Sequence, residues 1–150
     1  MRVVIQRVQR CSVEVEGKII GEIGKGLAIL LGIEEADTQE DIDWLCGKIS
    51  RLRIFDDENG VMNLDIQQAE GRAIVISQFT LFASTKKGNR PSYIRSAPEA
   101  ISRPMYEKFL ATLSATLGAE VEHGEFGADM KVSLVNDGPV TICIDSKNKE

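Results

Sequence analysis

The sequence predicts an α+β fold in which a largely antiparallel sheet rolls around one core and two helices complete it. Three observations carry this. Short β-branched and aliphatic runs, separated by turn residues, occupy most of the chain. Two segments instead repeat apolar residues every three or four positions, the period of a buried helical stripe. The 150 residues, 43% hydrophobic and 27% charged, have the size and makeup of one domain with a single core, spanning residues 1–150.

Val3-Val4-Ile5 and Val13-Glu14-Val15 read as short strands, with Glu16-Gly17 a turn into Ile19-Ile20 and a hairpin. Residues 26–33 are apolar on both faces, as in a central buried strand. A first helix begins near Thr38, whose hydroxyl can cap while Asp41 sits in the first turn. Ile42, Leu45, Ile49 and Leu52 form its stripe, and Trp44 beside them reads as core. Asn59-Gly60 marks a hairpin between Ile54-Phe55 and Val61-Met62-Asn63-Leu64.

Residues 73–83 are the longest strand candidate, and 86–96, with Gly88 and Pro91, read as loop. Ser96-Ala97-Pro98-Glu99 is a capping box that opens a second helix, although Pro104 leaves a start near Arg103 open. Met105, Phe109, Leu113 and Leu117 recur every fourth residue, and Gly118 ends the helix. Two closing strands, 130–135 and 140–144, flank Asn136-Asp137-Gly138-Pro139.

A net charge of −5 argues against a protein that coats nucleic acid indiscriminately. Between Glu70 and Glu99, however, no acid occurs while Arg72, Lys86, Lys87, Arg90 and Arg95 do. Such a basic stretch on an acidic body either holds a local polyanion or is a solvated loop. Cys11, Cys46 and Cys143 are widely spaced and read as small buried hydrophobes suited to a reducing cytosol. No apolar run approaches the roughly 20 residues that cross a bilayer, and Gln6 and Arg7 interrupt the opening one, so no secretory signal is read. A cytoplasmic protein with no membrane partner is expected.

Side chains alternate along a strand, so a strand over 73–83 puts Gln78 and Thr80 on one face with Ile74 and Ile76. Polar groups on such a face need partners. Local hydrogen bonds at the strand end and a functional pocket both supply them. A nucleophilic Thr80 or Ser77 would require a base. The only histidine is His123, in Val121-Glu122-His123-Gly124, and no metal-ligand spacing, HExxH or Gly-x-Ser-x-Gly motif occurs. A histidine beside glycine reads as a surface residue, and a small-ester hydrolase with His123 as base is an alternative.

Ser77-Gln78-Phe79-Thr80-Leu81-Phe82-Ala83 and Asn136-Asp137-Gly138-Pro139-Val140-Thr141 resemble the two signature motifs of the D-aminoacyl-tRNA deacylases (the D-tyrosyl-tRNA deacylase family), hydrolases that remove D-amino acids from tRNA. The resemblance runs along nearly the whole chain, from Ile5-Gln6-Arg7-Val8 through Met130-Lys131-Val132-Ser133-Leu134-Val135. It implies a barrel-like sheet with two helices, assembled as a homodimer with cross-subunit active sites. It implies catalysis at Ser77, Gln78, Phe79 and Thr80, with the N–H groups of Phe79 and Thr80 as oxyanion hole and the RNA's own 2′-hydroxyl taking part.

The resemblance further implies that Gly138-Pro139 is cis and enters the partner's pocket. There two carbonyls side by side form a wall that an L side chain would strike, and glycine mischarged onto tRNA would also be accepted. Arg7 aligns with a residue that locks this loop. An aminoacyl ester on ribose is already activated, so positioning and one well-aimed donor, worth about 10²–10³ in rate, can replace a triad. No metal or organic cofactor and no DNA partner are expected. Phe126, in a Gly-flanked loop, either packs on the terminal adenine or plugs one barrel end. Lys86, Lys87 and Arg90 are candidates for the tRNA backbone. A non-catalytic tRNA-binding module is the remaining alternative.

Overall fold

One long hairpin organises the chain. In the computed structural model, which describes residues 1–150, β1 runs unbroken over Arg2–Val15. The two short runs expected at its ends are therefore one strand. Val3, Ile5, Val8, Cys11 and Val13 are buried along it, and register shifts around Val8 let the odd spacing of Val8 and Cys11 keep both inside. β2 (Lys18–Ile23) and β3 (Gly26–Gly32) lie end to end antiparallel to β1, with Ile23 opposite Cys11 and Gly26 opposite Val8.

The chain then crosses over through α1 (Gln39–Ser50) and the small hairpin of β4 (Phe55–Asp56) and β5 (Met62–Leu64). It returns as β6 (Arg72–Ser77), parallel to β3. A second crossover, α2 (Glu99–Leu117), returns as β7 (Glu122–His123), parallel to β6. Helical crossovers bring strands back in the same direction, so these two parallel pairings make a sheet that is otherwise antiparallel a mixed one. Finally β8 (Lys131–Asp145) pairs antiparallel with β1. The sheet nearly closes into a barrel where β2 meets β7, since a Cβ at Gly21 would stand 2.6 Å from the His123 carbonyl oxygen.

β3 is buried on both faces, as its sequence requires. Leu27, Ile29 and Leu31 join the helix-facing core with Ile42, Leu45, Ile49, Phe109 and Leu113. Ala28 faces a second cluster with Val8, Cys11, Val13, Ile74 and Ile76. Thr38 is the N-cap of α1, and its N–H donates to the Asp41 carboxylate at 2.8 Å. Helix α2 starts at Glu99 rather than near Arg103, with Pro104 inside it on the exposed face. The expected capping box does not form: Pro98 is the N-cap, and the Ser96 hydroxyl donates to the Phe79 carbonyl at 2.8 Å. Gly118, at φ +67°, ends the helix in the left-handed conformation that glycine tolerates.

Two further strand expectations are corrected, and both of these corrections fall at the candidate motifs. The two segments expected at 130–135 and 140–144 fall, from Lys131 onward, in a single β8. Its register against β1 slips between Thr141, opposite Gln6, and Asn136, opposite Val8, so the Asn-Asp-Gly-Pro segment stands out as a bulge. Residues 73–83 are not one strand, because β6 stops at Ser77.

Candidate functional site

The strand ends where it runs out of partner. Gln78 N–H donates to the Leu31 carbonyl at 2.8 Å, and the chain then winds into a 3₁₀ turn over Phe79–Phe82. Gly32 makes room for that turn, because a Cβ there would lie 2.9 Å from Leu81 Cβ and 3.1 Å from the Gln78 carbonyl oxygen. Phe82 anchors it: the ring is fully buried, with the Arg2 and Arg95 guanidinium groups 4.6 and 5.3 Å from its centre. The Arg2 guanidinium also donates to the Leu81 carbonyl at 3.1 Å. Phe79 and Thr80 supply the opening N–H groups of the turn, which have no carbonyl within it to reach. Gln78 and Thr80 are still neighbours, but through the turn: the Gln78 side-chain amide donates to the Thr80 hydroxyl.

The turn forms one end of a cavity of about 300 Å³. Ser77, Gln78 and Phe79 line it together with Phe126 from the loop before β8, whereas Thr80, the next residue, does not. Ser102 of α2 and Met130 complete its polar and soft apolar surface. None of its 13 lining residues carries an ionisable side chain. Phe126 is held from behind. Its ring meets Tyr106 at 5.6 Å, and the Arg103 guanidinium sits 4.8 Å from its centre. Tyr106 itself donates to the Val75 carbonyl at 2.9 Å, and burial pushes its phenol up, so it stays a neutral donor.

Arg7 and the Gly138-Pro139 segment form a separate unit that does not line this cavity. The Gly138-Pro139 bond is cis, and both residues are exposed. Arg7 is buried beneath them. It donates to the Asp137 carbonyl at 2.9 Å, to the Ile54 carbonyl at 2.7 Å and to the Asp56 carboxylate at 3.2 Å. Gly138 has φ +133°, and a Cβ there would lie 2.8 Å from Val140 Cγ2 and 3.1 Å from Arg7 Nη2. The Asn136 side chain holds the far side of the bulge by accepting from Val140 N–H at 2.9 Å.

Lys86, Lys87 and Arg90 are all exposed on a loop that is pinned at its base, where Ser84 and Ser92 exchange backbone hydrogen bonds of 2.8 and 2.9 Å. His123 is exposed on β7, outside the cavity, with its Nδ1 2.6 Å from the Gly124 carbonyl. The structure therefore does not bring it to Ser77 or Thr80. No three of the chain's His, Cys, Asp and Glu side chains are grouped to hold a metal ion. No helix is long and apolar enough to cross a membrane.

Sequence reasoning missed the contributions of Ser96, which holds the Phe79 carbonyl, and of Tyr93, whose ring packs edge-on against Phe79 at 5.1 Å. It also missed the turn itself. The available signal was Gly32, an unexplained glycine closing an otherwise apolar strand.

A nearly closed mixed sheet with two crossover helices, and a cavity at the end of one strand bordered by a 3₁₀ turn, define a protein of the α+β, barrel-like class. The chain belongs to the D-Tyr-tRNA(Tyr) deacylase family, whose model matches residues 4–145. Among curated relatives, D-aminoacyl-tRNA deacylases from Bacteroides fragilis (strain YCH46) and Flavobacterium johnsoniae are 67% and 61% identical over 150 residues, covering 100% of both chains. A solved structure described as the c-Myc DNA Unwinding Element Binding Protein is 38% identical and superimposes with a TM-score of 0.90 over 97% of this chain and 98% of that one. One described as a probable eukaryotic D-amino acid tRNA deacylase is 15% identical with a TM-score of 0.82, covering 95% and 97%, and shares the fold.

Proposed function

We propose that residues 1–150 act as one cytoplasmic deacylase domain that hydrolyses the ester of D-aminoacyl-tRNA, releasing the D-amino acid and intact tRNA. The observation that carries this reading is the cavity of about 300 Å³, bordered by a turn of backbone donors and free of ionisable side chains. Family membership and relatives at 67% identity named D-aminoacyl-tRNA deacylase support the substrate class.

In this site a water molecule adds to the ester carbonyl, and the oxygen that becomes negative takes the N–H groups of Phe79 and Thr80. The neighbouring 2′-hydroxyl of the ribose assists the proton transfer to the departing 3′-oxygen. The C–O ester bond breaks, and carboxylic acid and ribose hydroxyl result. Ser77 and Gln78 shape the floor, Thr80 steadies it by accepting from the Gln78 side-chain amide, and the terminal adenine lies against Phe126. Lys86, Lys87 and Arg90 meet phosphates along the acceptor strand.

The chiral filter is Gly138-Pro139 of a second copy. Both residues are exposed and stand outside their own chain's cavity, so they reach a cavity only in a symmetric pair. The wall they form beside the substrate Cα excludes an L side chain and tolerates glycine, whose mischarged tRNA is therefore also a substrate. Arg7 fixes the height of that wall. Incubation of the purified protein with D-aminoacyl-tRNA tests the reading: free D-amino acid should accumulate, and tRNA binding without release would instead mark a non-catalytic binding module.

A further inference from the structure

We propose that Tyr93 is a stacking residue for the nucleotide that precedes the terminal adenosine of the substrate tRNA. The proposal rests on the deacylase reading and names a part of the same site that reading leaves unassigned. Phe79 contributes to the cavity, yet the residue is 57% exposed. Tyr93 stands edge-on against it at a centroid distance of 5.1 Å and is itself 39% exposed. Two large rings at a cavity rim, each open to solvent, leave apolar surface without a partner in the chain.

The surroundings select the partner. Tyr93 directly follows the pinned loop that carries exposed Lys86, Lys87 and Arg90, and no acid lies between Glu70 and Glu99. Exposed aromatic faces next to cations that can follow a phosphate chain are the recurring arrangement for unpaired nucleotides. The pair is also held in place. Ser96 binds the Phe79 carbonyl at 2.8 Å, and the Ser96 N–H donates to the Tyr93 carbonyl at 3.0 Å, so both rings are tied to the same short segment. With the terminal aminoacyl-adenosine inside the cavity, the strand leaves across this rim, and the next base meets the Tyr93 ring.

The test is a cycle of two changes, each removing one side of the stack. Tyr93→Leu keeps apolar bulk against Phe79 but loses the ring. The substrate change is a D-aminoacyl-tRNA with an abasic residue immediately before the terminal adenosine. Each change alone should raise KM roughly tenfold, the order expected for one base on one aromatic ring, and kcat should hold. The two together should be no worse than either, and Tyr93→Phe should behave as wild type. Independent, multiplying effects, or no effect of Tyr93→Leu, would overturn the assignment. A fall in kcat with both substrates would also overturn it, because Tyr93 would then act by supporting Phe79. Failure of the wild-type protein to cleave the unmodified substrate would remove the deacylase reading itself, and the proposal with it.

Discussion

The buried Arg7 guanidinium donates to the main-chain carbonyl of Asp137, 130 positions later in the chain, at 2.9 Å. One side chain thereby ties the first strand to the bulge that carries Gly138 and Pro139. It reaches the β4 hairpin as well, through the Ile54 carbonyl and the Asp56 carboxylate. The guanidinium serves these acceptors from two separate nitrogens, Nε toward Asp137 and Nη1 toward Ile54 and Asp56, a spacing that a single ammonium nitrogen cannot reproduce.

Arg7→Lys should therefore keep the charge and lose the geometry. At least one buried carbonyl is left unpaired, which costs about 1–3 kcal/mol. Urea unfolding should report that loss, while discrimination between D- and L-aminoacyl-tRNA should fall because the bulge is no longer fixed. Unchanged discrimination would show that Arg7 serves stability alone.

Gly138→Ala probes the bulge directly. At φ +133° an L residue is strained by about 1–3 kcal/mol, and the new methyl group would press on Val140 and Arg7. The fold should survive, since the segment is exposed, but the site should fail. Mixing this variant with Phe79→Pro should restore one working site per heterodimer, because one subunit brings an intact bulge and the other an intact turn. No recovery in proven heterodimers would mean that each site is built within one chain.

Backbone and side chain can be separated at the turn by reading Phe79→Pro against Phe79→Ala, which loses the same ring but keeps the N–H. Phe79 is its first residue, where proline is tolerated but has no N–H to give. Phe79→Pro should lower kcat by about 10²–10³, the size of one lost oxyanion donor. Thr80→Ala should retain substantial activity, and a substrate ending in 2′-deoxyadenosine should react much more slowly. Complete loss in folded Thr80→Ala, with tRNA still bound, would point to a covalent mechanism instead.

The places where sequence patterns succeeded and failed have physical causes. Helix stripes such as Ile42, Leu45 and Ile49 are local and periodic, and they lie fully buried as expected. The Asn59-Gly60 turn likewise joins β4 to β5, with Gly60 at φ +74°. Residues 73–83 misled because Gln78-Phe79-Thr80-Leu81 alternates like a strand. Only the tertiary partner, Leu31 and then Gly32, decides where pairing stops. The Asn-Asp-Gly-Pro segment read as a loop between two strands for the complementary reason. Its bulge is defined by the register of β1, which local sequence does not contain. Neither strand direction nor the reach of Arg7 across 130 positions is encoded in spacing.

Acid stability should depend on Asp41. Burial disfavours its carboxylate, but hydrogen bonds from Lys147, Ser146 and the Thr38 N–H outweigh that and hold it below the usual carboxylate range. A depressed folded value means that the group contributes stability above the ordinary aspartate value of 3.8 and loses it as pH falls further. Asp37 in the same network is shifted upward by burial, so the difference between wild type and Asp41→Asn is the informative quantity. Asp41→Asn should be less stable at neutral pH, and the gap should close below about pH 4. A gap that stays constant with pH would contradict the electrostatic role.

Initial rates of ester cleavage on matched D- and L-aminoacyl forms of one tRNA, run with the same enzyme stock, measure both halves of the proposed function at once. The D form should be hydrolysed to free amino acid and intact tRNA, while the L form should survive at enzyme concentrations that consume the D form completely. Equal rates on the two forms, or preference for the L form, would contradict a site in which backbone donors do the chemistry and a wall beside the Cα reads the configuration.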